Sequence, residues 1–166
     1  MENIIKGRVL KFGDNVDTDI IYPGGYLKER DPKKMAEYAF EGFEKGFSKK
    51  IQPGDIIVAG KNFGCGSSRE QAATCLKALG VAAIVAKSFS RLYFRNAINQ
   101  GIAIITSAEE IEKIENHETI EIDFEAGKVK AKSGVYGFPP LPEHMLSILK
   151  DGGLIEHIKK ELSAGK

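Results

Sequence analysis

Cysteine and histidine are scarce in this chain. Two cysteines, Cys65 and Cys75, stand ten positions apart among 166 residues, and the three histidines, His117, His144 and His157, are scattered. Two thiols make no disulfide scaffold. They also fall short of an iron–sulfur site of the chain's own, which takes about four protein cysteines, or roughly three where one iron stays open to substrate. Tryptophan is absent, and neither sign of charge prevails: 24 Lys and Arg against 23 Asp and Glu leave a net of +1. No general pull toward nucleic acid or an anionic membrane follows. No apolar run approaches the roughly 20 residues needed to span a bilayer. Met1–Gly7 holds too short an apolar stretch for a secretory leader. The expectation is a cytoplasmic chain with no membrane or nucleic-acid partner. Residues 1–166 read as one domain, with no repeat, low-complexity tract or linker to divide them.

What is present is the patterning of an α/β fold. Ile4–Phe12 alternates loosely and predicts a first strand, and residues 13–25, rich in Gly, Asp, Asn and Pro, predict a loop. Asp31-Pro32 opens a helix through Met35, Tyr38 and Ala39. Asp55–Ala59, Ala82–Ala86 and Ile102–Ile105 are short apolar runs of the kind buried on both faces. Between them lie two helical stretches, one starting at Ser67 and stopped by Gly80, the other running from Ser90 to Gln100 and stopped by Gly101. Strand–helix–strand–helix–strand predicts a parallel sheet with crossover helices. Ser107–Glu110 has the form of a capping box, which predicts a further helix. Thr119–Phe124 and Lys128–Lys132 flank Glu125-Ala126-Gly127 as an antiparallel hairpin. A helix carrying Met145, Ile148 and Leu149 on one face follows the prolines at 139–142; Gly152-Gly153 breaks it, and a last helix starts at Leu154.

The segment with most chemistry is Asn62-Phe63-Gly64-Cys65-Gly66-Ser67-Ser68-Arg69-Glu70, between a buried strand and a helix. Open parallel sheets place ligands at such strand ends. Two glycines let the backbone approach a ligand, N–H groups at a helix start favour an anion, and Arg69 offers a planar fork to a carboxylate. A Walker loop requires Lys where Ser67 stands, and a dinucleotide fingerprint requires a third glycine where Arg69 stands, so both nucleotide readings fail. A serine hydrolase lacks its GxSxG elbow and any histidine base near Ser67. A capped helix with Arg69 in a surface ion pair, or a small-anion site, is what spacing alone leaves open.

Three segments in order resemble the swivelling domain of the aconitase family: Asp14-Asn15-Val16-Asp17-Thr18-Asp19; Asn62–Glu70; and Lys87-Ser88-Phe89-Ser90-Arg91 with Asn96 and Gln100-Gly101. The resemblance covers roughly residues 4–106. In size the free chain resembles the separate small subunits of the family's two-chain members: isopropylmalate dehydratase, homoaconitase and dimethylmalate dehydratase. It implies a three-layer β/β/α swivelling domain with a mainly parallel sheet. It also implies a large-subunit partner that carries a [4Fe–4S] cluster, with no cofactor or metal on this chain. The implied reaction is reversible dehydration and rehydration of a hydroxy di- or tricarboxylate. On that resemblance Ser67 takes the proton as an alkoxide, Ser68 and Arg69 hold a substrate carboxylate, and Thr18 and Asp19 are catalytic, Asp19 by hydrogen bonding to or polarising a catalytic partner.

The resemblance also places a substrate-selecting loop at Gly25–Arg30, with Tyr26, Leu27 and Lys28 as substrate contacts. Lys28 stands where an apolar residue would suit an isopropyl group and a basic one an extra carboxylate. An ammonium paired with Glu29 or reaching into water leaves Leu27 and the lysine methylenes against an alkyl group, which selects isopropylmalate; homoaconitate and dimethylmalate are the alternatives. A reading from another class is an anion-binding regulatory module without chemistry. Cys65 reads as a packed thiol and Cys75 as a core position. Arg91, Tyr93, Phe94 and Arg95 read as helix packing rather than an RNA surface.

Overall fold

The computed structural model describes residues 1–165. Strand β1 (Ile4–Lys11) lies at the centre of a seven-stranded sheet. On one side it pairs in parallel with β2 (Ile56–Ala59), followed by β3 (Ala83–Ala86) and β4 (Ala103–Thr106). On the other it pairs antiparallel with β5 (Thr119–Asp123), then β6 (Lys128–Ala131) and β7 (Gly134–Gly137). The parallel half, with its crossover helices, is as expected. The antiparallel half exceeds the expected hairpin by one strand, so three strand pairings are parallel and three antiparallel.

The apolar runs of β2, β3 and β4 are buried because each face meets a different core. Ile57, Ala59, Ile84, Ala86 and Ile104 pack against the helical side. Their alternates Ile56, Val58, Ala83, Val85, Ala103 and Ile105 pack with Ile120, Ile122, Val129, Tyr136 and Phe138. A strand period of two divides the residues between the two cores. The antiparallel half therefore lies across the parallel half, which gives the β/β/α layering. Its far end returns to β4: the Ser107 hydroxyl donates to the Gly137 carbonyl at 2.9 Å. Ser107 is thereby bound to β7 instead of capping a helix, and only a 3-10 turn, Ile111–Lys113, follows it.

The helices form the third layer. Four-residue α1 (Thr18–Ile21) sits inside the stretch expected to be loop, capped by the Asp17 carboxylate on the Ile20 N–H at 2.7 Å. Helix α2 (Pro32–Glu37) opens with Asp31 as its cap. Helices α3 (Gln71–Leu79) and α4 (Arg91–Gln100) are the crossovers, ended by Gly80 and Gly101 at φ +83° and +81°. Helices α5 (Glu143–Lys150) and α6 (Leu154–Ala164) close the chain. No helix among the described residues is long and apolar enough to cross a membrane.

Candidate active site

The pairing of β1, β2 and β3 continues past the ends of the strands, and that continuation builds the site. After β1, the Asn15 N–H donates to the Lys61 carbonyl, the Thr18 N–H to the Cys65 carbonyl at 2.9 Å, and the Gly64 N–H to the Val16 carbonyl at 2.7 Å. Asp17 and Cys65 form a parallel bridge, and Phe63 and Phe89 form another. The loop after β2 is thus held between the loops after β1 and β3. Asn15 and Asn62 both turn at positive φ, and the Asn62 amide donates to the Asn15 side-chain oxygen at 3.1 Å.

Gly64 is required by contact. Its φ is +76°, and a Cβ there would lie 2.1 Å from Cγ of Tyr93. Tyr93 is fully buried, and its hydroxyl donates to the Ala72 carbonyl in the first turn of α3. The Ser90 hydroxyl caps α4 and also donates to the Gly64 carbonyl at 2.8 Å. Sequence reasoning recognised Ser90 as a helix start. Its second bond, to a loop 26 residues away, has no local signature.

Ser67, Ser68, Arg69, Thr18 and Asp19 converge here. Ser67 and Ser68 are exposed. Thr18 is buried, and its hydroxyl donates to the Ser67 carbonyl at 2.8 Å. The Arg69 guanidinium is largely covered and donates through Nη1 to the Asp19 carboxylate at 2.5 Å and to the Tyr22 carbonyl at 3.1 Å. Asp19 Oδ1 also accepts the Gly24 N–H at 3.0 Å. The Arg69 guanidinium, and after it the Gly24 N–H, hold the Asp19 carboxyl below its ordinary range. Nε and Nη2 of Arg69 meet no acceptor among the described residues, which leaves one edge of the fork for a carboxylate.

One expectation about Ser67 is corrected. Helix α3 begins at Gln71 with Glu70 at its cap position, so Ser67 stands four residues ahead of it and does not cap it. A helix dipole acts within about one turn, so it contributes little at Ser67. The loop itself provides another source of positive potential. The backbone N–H groups of residues 66–70 have no hydrogen-bond acceptor among the described residues, and Gly64 and Gly66 turn at positive φ. Successive N–H groups turned in this way form an anion-binding concavity.

The Gly25–Arg30 loop starts beside this ion pair. The ring of Tyr26 stacks on Tyr38 with centroids 3.9 Å apart, and its carbonyl accepts the Tyr22 hydroxyl. Leu27 and Lys28 are exposed. Lys28 has no ion-pair partner among the described residues. Of the two options for Lys28, pairing with Glu29 does not occur, and Glu29 Oε1 instead accepts the N–H groups of Arg30 and Asp31, both at 2.9 Å. Those two bonds hold the Glu29 carboxyl below its usual range, Asp31 contributing most.

Among the described residues no group of three or more His, Cys, Asp or Glu could hold a metal ion. The thiols do not supply the ligands of a cluster. Cys75 is fully buried in α3, and desolvation pushes its thiol far up, away from the thiolate a metal requires. Cys65, half-buried in the loop, stands without a second accessible thiol.

Residues 14–110 match the family model described as the aconitase C-terminal domain. The chain is 47% identical over 161 residues to the 3-isopropylmalate dehydratase small subunit of Thermodesulfovibrio yellowstonii, covering 96% of each chain. It is 46% identical to the isopropylmalate/citramalate isomerase small subunit of Methanocaldococcus jannaschii, covering 98% of each. It is also 46% identical to the methanogen homoaconitase small subunit of Methanothermobacter thermautotrophicus, covering 99% of this chain and 96% of that one. The crystal structure of 3-isopropylmalate dehydratase from M. jannaschii superposes with a TM-score of 0.91 at 41% identity, over 98% of this chain and 97% of that one. Fold, loop order and similarity over nearly the whole length agree, and the chain belongs to the aconitase family, among its separate small subunits of the isopropylmalate dehydratase type.

Proposed function

We propose that this chain is the small subunit of a two-subunit hydro-lyase that interconverts 2-isopropylmalate and 3-isopropylmalate, a step of leucine biosynthesis. In this reading the whole chain acts as one swivelling domain and closes a site shared with a large subunit. The observation that carries the reading is that Ser67, exposed, and Arg69, with the outer edge of its guanidinium free, stand two residues apart on one loop and line the same indentation.

Dehydration requires loss of a proton from the carbon beside a carboxylate. Ser67 takes that proton as an alkoxide, which the unpartnered N–H groups of residues 66–70 and the Arg69 charge stabilise. Arg69 and Ser68 bind the carboxylate, and Asp19 holds Arg69 in position. Thr18 fixes the backbone from which Ser67 projects. A [4Fe–4S] cluster held by the large subunit would supply Lewis acidity for loss of the substrate hydroxyl. The two thiols of this chain, one of them fully buried, are too few to carry it.

Leu27 and the methylenes of Lys28 offer an alkyl surface, while the Lys28 ammonium reaches water. That favours isopropylmalate. Because Lys28 lacks the pairing with Glu29, its ammonium is also free for a third carboxylate, which supports the second reading, homoaconitate. The test is an anaerobic assay with the cognate large subunit, in which isopropylmalate, homoaconitate and dimethylmalate compete at equal concentration. The chain alone turns over none of them. Isopropylmalate gives the highest kcat/KM, and Lys28→Val keeps or raises it. A higher kcat/KM for homoaconitate, lost in Lys28→Val, makes the second reading correct.

A further inference from the structure

A large cavity lies on the far face of α4 from Ser67. It is an open groove of about 660 Å³ between α4 and α5, floored by Phe89, Phe94, Ile98, Met145 and Ile148. Arg91 and Arg95 stand along one wall and His144 along the other. Both arginines are exposed, and neither has an ion-pair or hydrogen-bond partner among the described residues. They are four residues apart on one helix, so their charges sit one turn apart, about 6 Å along the axis. In the isolated chain these like charges repel beside an apolar trough, and no acid among the described residues pairs with them.

The same helix faces the site with its other side. Leu92, Tyr93 and Asn96 line the small indentation around Ser67, and Leu92 is 49% exposed. Ser90 and Leu92 line that indentation while Arg91, between them, lines the groove, so the two meet at the start of α4, and a protein that covers Ser67 and Leu92 reaches the Arg91 end of the groove. We propose that the groove is the docking site for a segment of the large subunit, one that seats apolar side chains on Met145, Ile148 and Phe94 and presents two acidic residues to Arg91 and Arg95. The two-arginine spacing favours a protein segment over a small monocarboxylate, which would engage one guanidinium and leave the other unpaired. The inference rests on the two-subunit reading given above.

The test measures binding rather than turnover. The cognate, cluster-loaded large subunit is titrated anaerobically against wild-type chain and against Arg91→Glu/Arg95→Glu, whose exposed side chains leave folding intact as judged by circular dichroism. Reversal weakens association at least about tenfold, as loss of covered charge pairs does, and flattens its dependence on ionic strength. At saturating large subunit kcat returns to near the wild-type value. If wild-type chain does not bind the large subunit, the two-subunit reading fails and this proposal with it. If wild type binds and the double variant binds within twofold of it, only the docking proposal fails. Binding of 4-methylpentanoate in the groove, followed by the Met145 methyl resonance, together with unchanged subunit affinity in the variant, makes the groove a small-molecule site and overturns the proposal.

Discussion

The hydroxyl of Thr18 donates to the backbone carbonyl of Ser67, joining the first turn of α1 to the loop that carries the exposed serine. The donor is buried and the acceptor lies at the surface, so the bond sets where the surface residue projects. Thr18→Val keeps the shape and removes the donor. Stability falls by about 0.5–1.5 kcal/mol, and kcat falls at least roughly tenfold because positioning is lost. Thr18→Ser restores most of both. Denaturant unfolding and steady-state kinetics of the assembled enzyme check this, and equal kcat in Thr18→Val makes Thr18 a packing residue only.

Ser67→Ala separates chemistry from folding. The side chain is exposed and caps no helix, so stability changes by no more than about 0.5 kcal/mol. Loss of the proton acceptor lowers the rate by about 10²- to 10⁴-fold. A variant that assembles normally and keeps near-normal kcat removes the serine from the mechanism.

The Arg69–Asp19 pair has a defined pH window. The Asp19 carboxyl titrates below its ordinary value, about 3.9, because the guanidinium and the Gly24 N–H favour its charged form. A depressed folded-state pKa contributes stability above the unfolded value, and that contribution is lost as pH falls through the folded value. The pair is therefore intact at neutral pH and opens only in acid. Arg69→Lys keeps the charge but loses the fork. It raises KM, lowers kcat to a lesser degree, and moves the Asp19 carboxyl resonance midpoint upward in an NMR titration. An unmoved midpoint assigns the shift to Gly24 alone.

Two glycines two positions apart respond differently to the same change. In Gly64→Ala the new methyl group meets the buried Tyr93 ring at 2.1 Å, in addition to the strain of a positive φ. Overpacking and backbone strain together cost about 2–5 kcal/mol. In Gly66→Ala the nearest atom is 3.6 Å away, so only backbone strain of about 1–2 kcal/mol remains. Thermal melts of both variants check the ranking, and equal losses show that Tyr93 moves aside.

What was legible in the sequence is what local chemistry determines. Gly80 and Gly101 ended their helices because each adopts a left-handed turn, and the runs at Ile56, Ala83 and Ala103 read as buried strands because both faces lie in core. Of three misreadings, two concern residues whose partners lie elsewhere. Ser107 has the signature of a cap, but its hydroxyl serves a carbonyl 30 residues away. Ser67 looks like a helix start, but the chain stays irregular through Arg69, held there by the ion pair with Asp19, 50 positions distant. Helix α1, four residues long, was hidden in a stretch of turn residues. At the site, the motif residues could be named from resemblance. That Asp19 binds Arg69, and that Glu29 bonds to backbone N–H groups instead of Lys28, required the folded chain.

The fastening of the Gly25–Arg30 loop bears on how such enzymes diverge. Tyr26 anchors the loop from within by stacking on Tyr38, and Glu29 closes it on its own backbone, so the frame does not depend on the side chain at position 28. Under the proposed role of Lys28, a single codon can re-aim substrate choice at almost no cost in folding. A lineage built this way drifts between neighbouring metabolic tasks without passing through misfolded intermediates. Relatives at 46–47% identity to this chain carry names for isopropylmalate, citramalate and homoaconitate chemistry.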